Sequence, residues 1–231
     1  MQDRPECRGL RARARQARLG FVVLVLAAVV GLASTAHAET GQAPKPGQVI
    51  AMIGAGDVGS TLGTLWAAAG YHVIFATRHP DQLDEVVAAA GHGAEASAVG
   101  PAIQQADIVA LAVPYKAEPA IARQYGSALK GRILVDADNA FSGRDGEVAT
   151  QAEQMGEALY SAKLFSGTRF IRAFNMISAS RYPAPGNLDA TNFDVVYTTN
   201  DDSVRSVAED LIRATGGTPV YKGDLANAPE Y

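Results

Sequence analysis

Residues 49–59 constrain the fold more than any other part of the chain. The apolar run Val49–Ile53 leads directly into a glycine-rich stretch, Gly54–Gly59, with the sequence GAGDVG. The apolar run predicts a buried parallel strand, and glycines at this spacing form the turn between strand and helix in dinucleotide-binding folds. Apolar residues then recur at helical spacing over Ser60–Ala69, and Gly70 ends the predicted helix. We therefore expect a helix N-terminus that faces a pyrophosphate.

A basic residue follows the second predicted strand. His72–Ala76 reads as a strand, and Thr77 and Arg78 come directly after it. Folds that bind NAD commonly have an acidic residue at this point to hold the ribose 2′-hydroxyl. Arginine instead offers a planar set of donors that suits a phosphate, and the threonine hydroxyl can add another. The pattern favours NADP(H) as cofactor and a redox enzyme as the function.

The remaining sequence continues to alternate between helical and strand patterns. Such alternation predicts an α/β fold with one Rossmann-type, doubly wound and mainly parallel sheet in a single domain. The predicted helices are 80–90, 100–106, 116–128, 150–162 and 202–215, the predicted strands are 108–113, 132–136, 169–174, 193–198 and 219–221, and 139–146 is a predicted polar loop.

Ligands bind at the carboxyl ends of strands in such a sheet, so the residues that follow each strand are the candidates for the site. We expect Asn175 to lie beside the cofactor, whereas Tyr115 and Lys116 are equally compatible with a substrate contact and with a solvated surface. Asp136 and Asp138 are expected to point to opposite faces, so no paired-carboxylate site is predicted. No catalytic residue and no metal-ligating set stands out.

The N-terminus has the pattern of an export signal. Six arginines precede Gly20, the apolar run Phe21–Leu32 follows, and Ala36-His37-Ala38 resembles a cleavage site. We expect residues 1–38 to be a cleaved signal peptide or an N-terminal membrane anchor, 39–48 a linker, and 49–231 the folded domain. The expected location is the periplasm, or the cytoplasm if the start of the chain lies further downstream.

Charge and cysteine content exclude several kinds of partner and site. The leader holds six of the 20 basic and two of the 24 acidic residues, which leaves residues 39–231 with a formal charge of −8. This excess of negative charge argues against nucleic acid and against anionic membrane surfaces as partners, apart from association through the N-terminal segment. The one cysteine, Cys7, lies in the leader, so the remainder has neither a disulfide nor a thiol nucleophile.

Four stretches together resemble the NADP oxidoreductases that depend on coenzyme F420, an 8-hydroxy-5-deazaflavin. They are Ile53–Gly59, Ala76–Arg78, Leu111–Pro114 and Arg172–Ala179 (RAFNMISA). The last of these also resembles the NADPH domain of the STEAP metalloreductases, which pass hydride from NADPH to a flavin. Thr77 departs from the family pattern, in which a serine precedes the arginine, but it keeps the hydroxyl.

The resemblance implies NADP(H) as cofactor and F420, FMN or FAD as second cofactor or substrate. The deazaflavin or flavin ring would stack near the nicotinamide, close to Asn175 and Met176. The predicted cofactor-binding residues are Gly54, Ala55, Gly56, Asp57, Val58, Gly59, Thr77, Arg78, Ala112, Val113, Pro114, Asn139, Asn175 and Met176.

Two other functions stay open at this point. One is a non-catalytic NADP(H)-binding module of an envelope redox system. The other is an imine reductase of the pyrroline-5-carboxylate reductase type, which would need a substantial helical C-terminal domain. The alternation of helix and strand after Asn139 argues against the second. The sequence leaves open whether the protein is a homodimer.

Overall fold

The computed structural model describes residues 47–185 and 193–230. The predicted signal peptide, and the predicted linker up to residue 46, lie outside the described residues, so these two predictions stay predictions. Within the described ranges, no helix combines the length and the apolar character needed to cross a bilayer.

The described part of the chain contains eight strands and eight α-helices, which alternate up to β5. The strands are β1 (Val49–Ile53), β2 (His72–Thr77), β3 (Glu95–Ala98), β4 (Ile108–Leu111), β5 (Ile133–Asp136), β6 (Arg169–Ala173), β7 (Asp194–Thr199) and β8 (Thr218–Tyr221). The helices are α1 (Asp57–Ala68), α2 (Asp84–Ala90), α3 (Val99–Gln105), α4 (Glu118–Leu129), α5 (Ser142–Asp145), α6 (Glu147–Met155), α7 (Glu157–Leu164) and α8 (Arg205–Arg213).

All eight strands form one sheet in the order β3-β2-β1-β4-β5-β6-β7-β8. The first six strands in this order are parallel, and their arrangement is the one typical of dinucleotide-binding domains. β7 runs antiparallel to β6 and parallel to β8, which extends the sheet at one edge. The structure confirms the predicted doubly wound, mainly parallel α/β fold.

Both faces of the sheet are covered, which explains why the central strands are apolar throughout. In β1, Ile50 and Met52 belong to the core on one face, whereas Ala51 and Ile53 belong to the core on the other. Successive side chains of a strand point to opposite faces, so a strand buried on both sides needs an apolar residue at every position.

Several predicted elements differ from the observed ones. The helix predicted over 150–162 is observed as two helices. Gly156 adopts a φ of 90°, which ends α6 and separates it from α7. The loop predicted over 139–146 contains the short helix α5. β3 was not predicted, since its sequence, EASA, lacks the β-branched and aromatic residues that favour strands.

The region after Asn139 adds α5–α8 and β6–β8 to the same sheet. Its helices and strands continue this sheet, as the alternation of helix and strand after Asn139 indicated.

Candidate functional site

Two adjoining cavities lie along the carboxyl ends of the central strands. The first has a volume of 380 Å³ and reaches from the glycine turn to Thr77 and Arg78 at the end of β2. The second has a volume of 220 Å³ and reaches from the start of α1 to Asn139, beyond β5. Val113 and Pro114 line both cavities, so the two adjoin there, and we call them together the cleft.

The glycines of the turn have three different structural roles. Gly54 has a φ of 99°, and a side chain there would overlap the Ala112 carbonyl. A side chain at Gly59 would overlap the Gly54 carbonyl. A Cβ at Gly56, in contrast, would meet no described atom within 4 Å, because this residue faces the second cavity. The fold itself requires glycine at two of these positions, and Gly56 leaves room for a ligand.

The N-terminus of α1 opens onto the second cavity. Gly56 is the N-cap residue, and no side chain among the described residues caps the helix there. The first backbone N–H groups of a helix lack intrahelical partners, and the helix dipole favours an anion beside them. Asp57 and Val58 also line this cavity, but Asp57 is exposed, so its carboxylate can turn towards solvent.

Arg78 is an exposed cation at the mouth of the first cavity. Within residues 47–185 and 193–230 its side chain has neither a hydrogen bond nor an ion pair to another residue. Thr77 lies beside it, and its hydroxyl oxygen accepts a long hydrogen bond of 3.4 Å from the His79 backbone. Both side chains are placed to contact a ligand in this cavity.

The other predicted site residues fall into two groups, those that line a cavity and those that do not. Ala112, Val113, Pro114 and Asn139 line the second cavity. Ala55, Gly59, Asn175 and Met176 line neither cavity.

Asn175 and Asn139 hold the end of β6 against the end of β5. The Asn139 side chain donates to the Asn175 carbonyl at 2.7 Å, and Asn175 Nδ2 donates to Asn139 Oδ1 at 3.3 Å. Asn175 Nδ2 also donates to the Pro229 carbonyl at 3.0 Å, so the C-terminal segment packs here. Asn175 is buried, whereas the neighbouring Met176 is 37% exposed.

Tyr115 and Lys116 have structural partners of their own. Tyr115 is fully buried, and its hydroxyl donates to the Glu157 carbonyl at 2.7 Å, which excludes both the substrate contact and the solvated role considered from the sequence. Lys116 Nζ donates to the Arg144 carbonyl at 3.0 Å.

A buried acidic cluster lies directly behind the second cavity, where no paired-carboxylate site was predicted. Glu118, Asp136 and Asp138 each place a carboxylate oxygen within 4.8 Å of the other two. The expectation of opposite faces was wrong, because residues two apart along a strand share a face. Glu118 adds a third carboxyl from α4, a contact that the sequence gives no means of seeing.

Arg172 on β6 lies in the centre of this region and is almost completely buried. It donates to Asp136 at 2.6 Å and to Glu157 at 2.7 Å. Asp136 and Arg172 are direct neighbours in the register of β5 and β6, which explains how an arginine can occupy a buried strand.

A family model described as NADP oxidoreductase, coenzyme F420-dependent, matches residues 49–140. This range contains β1, the glycine turn, Arg78 and the strand ends that line the two cavities. The solved structure of a hypothetical protein from Sinorhizobium meliloti is 30% identical in sequence, with a TM-score of 0.64 over 78% of this chain and 87% of that one. The chain belongs to this family of NADP oxidoreductases.

A curated relative and a second solved structure are also similar to this chain. Rat metalloreductase STEAP3 is 27% identical over 192 residues, which are 82% of this chain and 36% of STEAP3, so the chain spans about a third of that relative's length. A putative F420-dependent NADP reductase from Arthrobacter sp. shares the fold, with 21% identity and a TM-score of 0.63 over 77% of this chain and 85% of that one.

Proposed function

We propose that this protein binds NADP(H) along the cleft and transfers a hydride between its nicotinamide and a flavin or deazaflavin. Membership in a family of NADP oxidoreductases supports the reaction class.

The proposal of NADP(H), and not NAD(H), rests on the position of Arg78. Its guanidinium is exposed at the end of β2, lines the first cavity and has no competing partner among the described residues. A free guanidinium is suited to a 2′-phosphate, because it can donate two parallel hydrogen bonds to it. Thr77 would add a hydroxyl donor. NAD(H), which lacks that phosphate, would gain nothing from either residue.

The glycine turn fits a pyrophosphate. The open space at Gly56 would admit the phosphates to the backbone, and the uncapped N-terminus of α1 would supply N–H donors and the positive end of a dipole. The adenosine would lie in the first cavity and the nicotinamide in the second, beside Val113, Pro114 and Asn139. When bound, NADPH supplies the hydride.

The chain's own contribution is to orient the two reactants and exclude water from between them. Phe141 and Arg144 line the second cavity, and the Arg144 guanidinium lies 4.9 Å from the centre of the Phe141 ring. Phe141 is 40% exposed, and its ring would offer a flat apolar surface against which an aromatic acceptor can stack.

Asp145 fixes this surface in place. It accepts hydrogen bonds from Arg144 Nε at 3.0 Å and from the Phe141 backbone at 2.9 Å. Burial raises the pKa of Asp145, but its hydrogen bonds from Arg144, Phe141 and Lys116 outweigh burial and hold the pKa below its ordinary value. The carboxylate therefore stays ionised at neutral pH and keeps Arg144 beside the cavity.

The test of the acceptor is NADPH oxidation by the purified protein without oxygen, with F420, FMN and FAD offered in turn. Turnover with one of them, lost in an Arg78→Glu variant, would support the proposal. Saturable NADPH binding without turnover on any acceptor would instead favour a non-catalytic binding module. Absence of NADPH binding would contradict both.

We also propose that the protein is exported or anchored through its N-terminal segment. The basic residues, apolar run and small-residue site of positions 1–38 support this. An envelope location raises the question of how the domain obtains NADPH, which is a cytoplasmic cofactor. Cell fractionation tests the location, and full-length protein in the cytosol would contradict it.

The molecular mass in solution, measured by light scattering, tests whether the protein is a homodimer.

A further inference from the structure

Three carboxyl groups meet in the interior behind the cleft; we call Glu118, Asp136 and Asp138 the acid trio. Glu118 is the first residue of α4, Asp136 is the last residue of β5, and Asp138 follows two positions later. None is more than 3% exposed. One oxygen from each lies within 4.8 Å of the other two, so their charges would interact strongly in this dry surrounding.

Arg172, the buried cation beside the trio, already has two ion-pair partners. Arg172 makes close ion pairs with Asp136 and Glu157, and among residues 47–185 and 193–230 no counter-ion contacts Glu118 or Asp138. The titratable and charged groups that face the trio are Tyr115 before α4, Arg144 on α5, Glu157 and Tyr160 on α7, Arg172 on β6, and, next to Glu157, Glu230 near the C-terminus. Full ionisation would bury more carboxylates than guanidinium groups.

Three oxygens of the trio have no hydrogen-bond partner among the described residues. They are Oε1 and Oε2 of Glu118 and Oδ2 of Asp138. A buried carboxylate is normally surrounded by donors, because an unpaired buried charge costs several kcal/mol. A protonated carboxyl has its own O–H donor, which a neighbouring carboxyl oxygen can accept. Protonation of Glu118 and Asp138 would remove two uncompensated buried charges and would give each carboxyl an O–H donor of its own.

We propose that Glu118 and Asp138 are both protonated at neutral pH and form a buried acid pair that fixes the cofactor-lining backbone at Val113. Asp138 Oδ1 accepts a hydrogen bond from the Val113 backbone at 2.7 Å. Val113 lines both cavities, and Asp138 itself lines the second. Asp138 is then a positioning residue for the cleft, and this consequence for cofactor affinity rests on the proposed function.

The balance of forces supports protonation. Burial raises the pKa of Glu118 well above its ordinary value, and Asp136 and Asp138 raise it further, against the smaller lowering effects of the Ser161 hydroxyl and Arg172. Burial and Asp136 likewise raise the pKa of Asp138, against the hydrogen bond from Val113 and the smaller lowering effects of Arg172 and Arg144. Glu118 lies at a helix N-terminus, which favours the ionised form, but that effect is about 0.3–1 kcal/mol and is smaller than the cost of burying the charge.

The first test is the pH dependence of thermal stability in the full chain, for wild type, Glu118→Gln and Asp138→Asn. An amide has the shape of a protonated carboxyl and cannot ionise. The unfolded chain loses these protons near its ordinary pKa of about 4, whereas the folded chain keeps them, so rising pH favours the unfolded state of wild type. We expect both variants to melt at or above wild type at about pH 8, with the difference shrinking towards about pH 5.

Asp136→Asn is the matched control. Asp136 forms a buried ion pair with Arg172, so replacing it by an amide should lower the melting temperature at every pH in this range. A Glu118→Gln variant that melts well below wild type at about pH 8, or does not fold, would overturn the proposal. So would a stoichiometric divalent cation in the purified protein whose removal by a chelator lowers the melting temperature, because the trio would then be a metal site of ionised carboxylates.

The second test separates the acid pair from the cofactor. We expect Asp138→Asn to keep the wild-type affinity for NADPH, whereas Asp138→Ala, which releases the Val113 backbone, weakens it about tenfold, the factor that follows from one lost hydrogen bond. Equal affinity of Asp138→Ala and wild type would overturn the positioning role. If wild type binds no NADPH, the proposed function fails, but the melting experiment still decides the protonation of the pair.

Discussion

Arg78 is the residue on which the choice of cofactor depends. We expect Arg78→Glu to weaken NADPH binding about tenfold to a hundredfold, as the loss of a charged hydrogen bond of about 1.5–3 kcal/mol implies, and to leave NADH binding nearly unchanged. Fluorescence titration with both cofactors measures this. Lys222→Glu is the matched control, because it reverses an exposed charge just after β8, at the opposite edge of the sheet. Equal losses for NADPH and NADH in the Arg78 variant would show that it does not contact the 2′-phosphate.

Two glycines in the turn between β1 and α1 allow the effect of a substitution on folding to be separated from its effect on cofactor binding. Gly56→Val should still fold, because a Cβ at this position meets no described atom within 4 Å, yet it should abolish binding of either dinucleotide by filling the space for the pyrophosphate. Gly59→Ala should instead lower the melting temperature, since its side chain would overlap the Gly54 carbonyl. Thermal melts and NADPH titrations of both variants test the pair of predictions. A Gly56 variant that still binds NADPH would place the phosphates elsewhere.

At the scale of the whole molecule, Trp66 connects two helices that are far apart in the sequence, α1 and α8. This buried side chain on α1 donates to the Leu211 carbonyl on α8 at 3.0 Å and packs edge-on against Phe174, with ring centres 5.6 Å apart. Trp66→Phe should destabilise the protein by about 1–3 kcal/mol, because it leaves a buried carbonyl unpaired. Denaturant titration of wild type and variant measures the loss.

Trp66 is the only tryptophan of the chain, so its fluorescence reports on this junction alone. We expect fluorescence and circular dichroism to follow one coincident unfolding transition in the wild type, as they should if both ends of the sheet unfold together. A variant stability within error of wild type, or two separate transitions, would show that the junction contributes little.

Local sequence determined the parts of this protein whose structure depends on neighbouring residues. An apolar run, a spaced set of glycines and a basic residue specified β1, the turn and the end of β2, because each is decided by local backbone freedom, periodicity and side-chain chemistry. The parallel direction of the central strands followed from the alternation of helices and strands along the sequence. The predicted role of Arg78 rests on its position in this pattern.

Tertiary structure decided what depends on residues far apart in the chain. β3 pairs with the edge of β2, and β7 pairs antiparallel with β6, and both pairings join residues far apart in the chain. The acid trio combines a carboxyl from α4 with two from the end of β5, beside an arginine from β6. Burial and proximity set the protonation of such groups, and neither can be obtained from the identity of the residues alone.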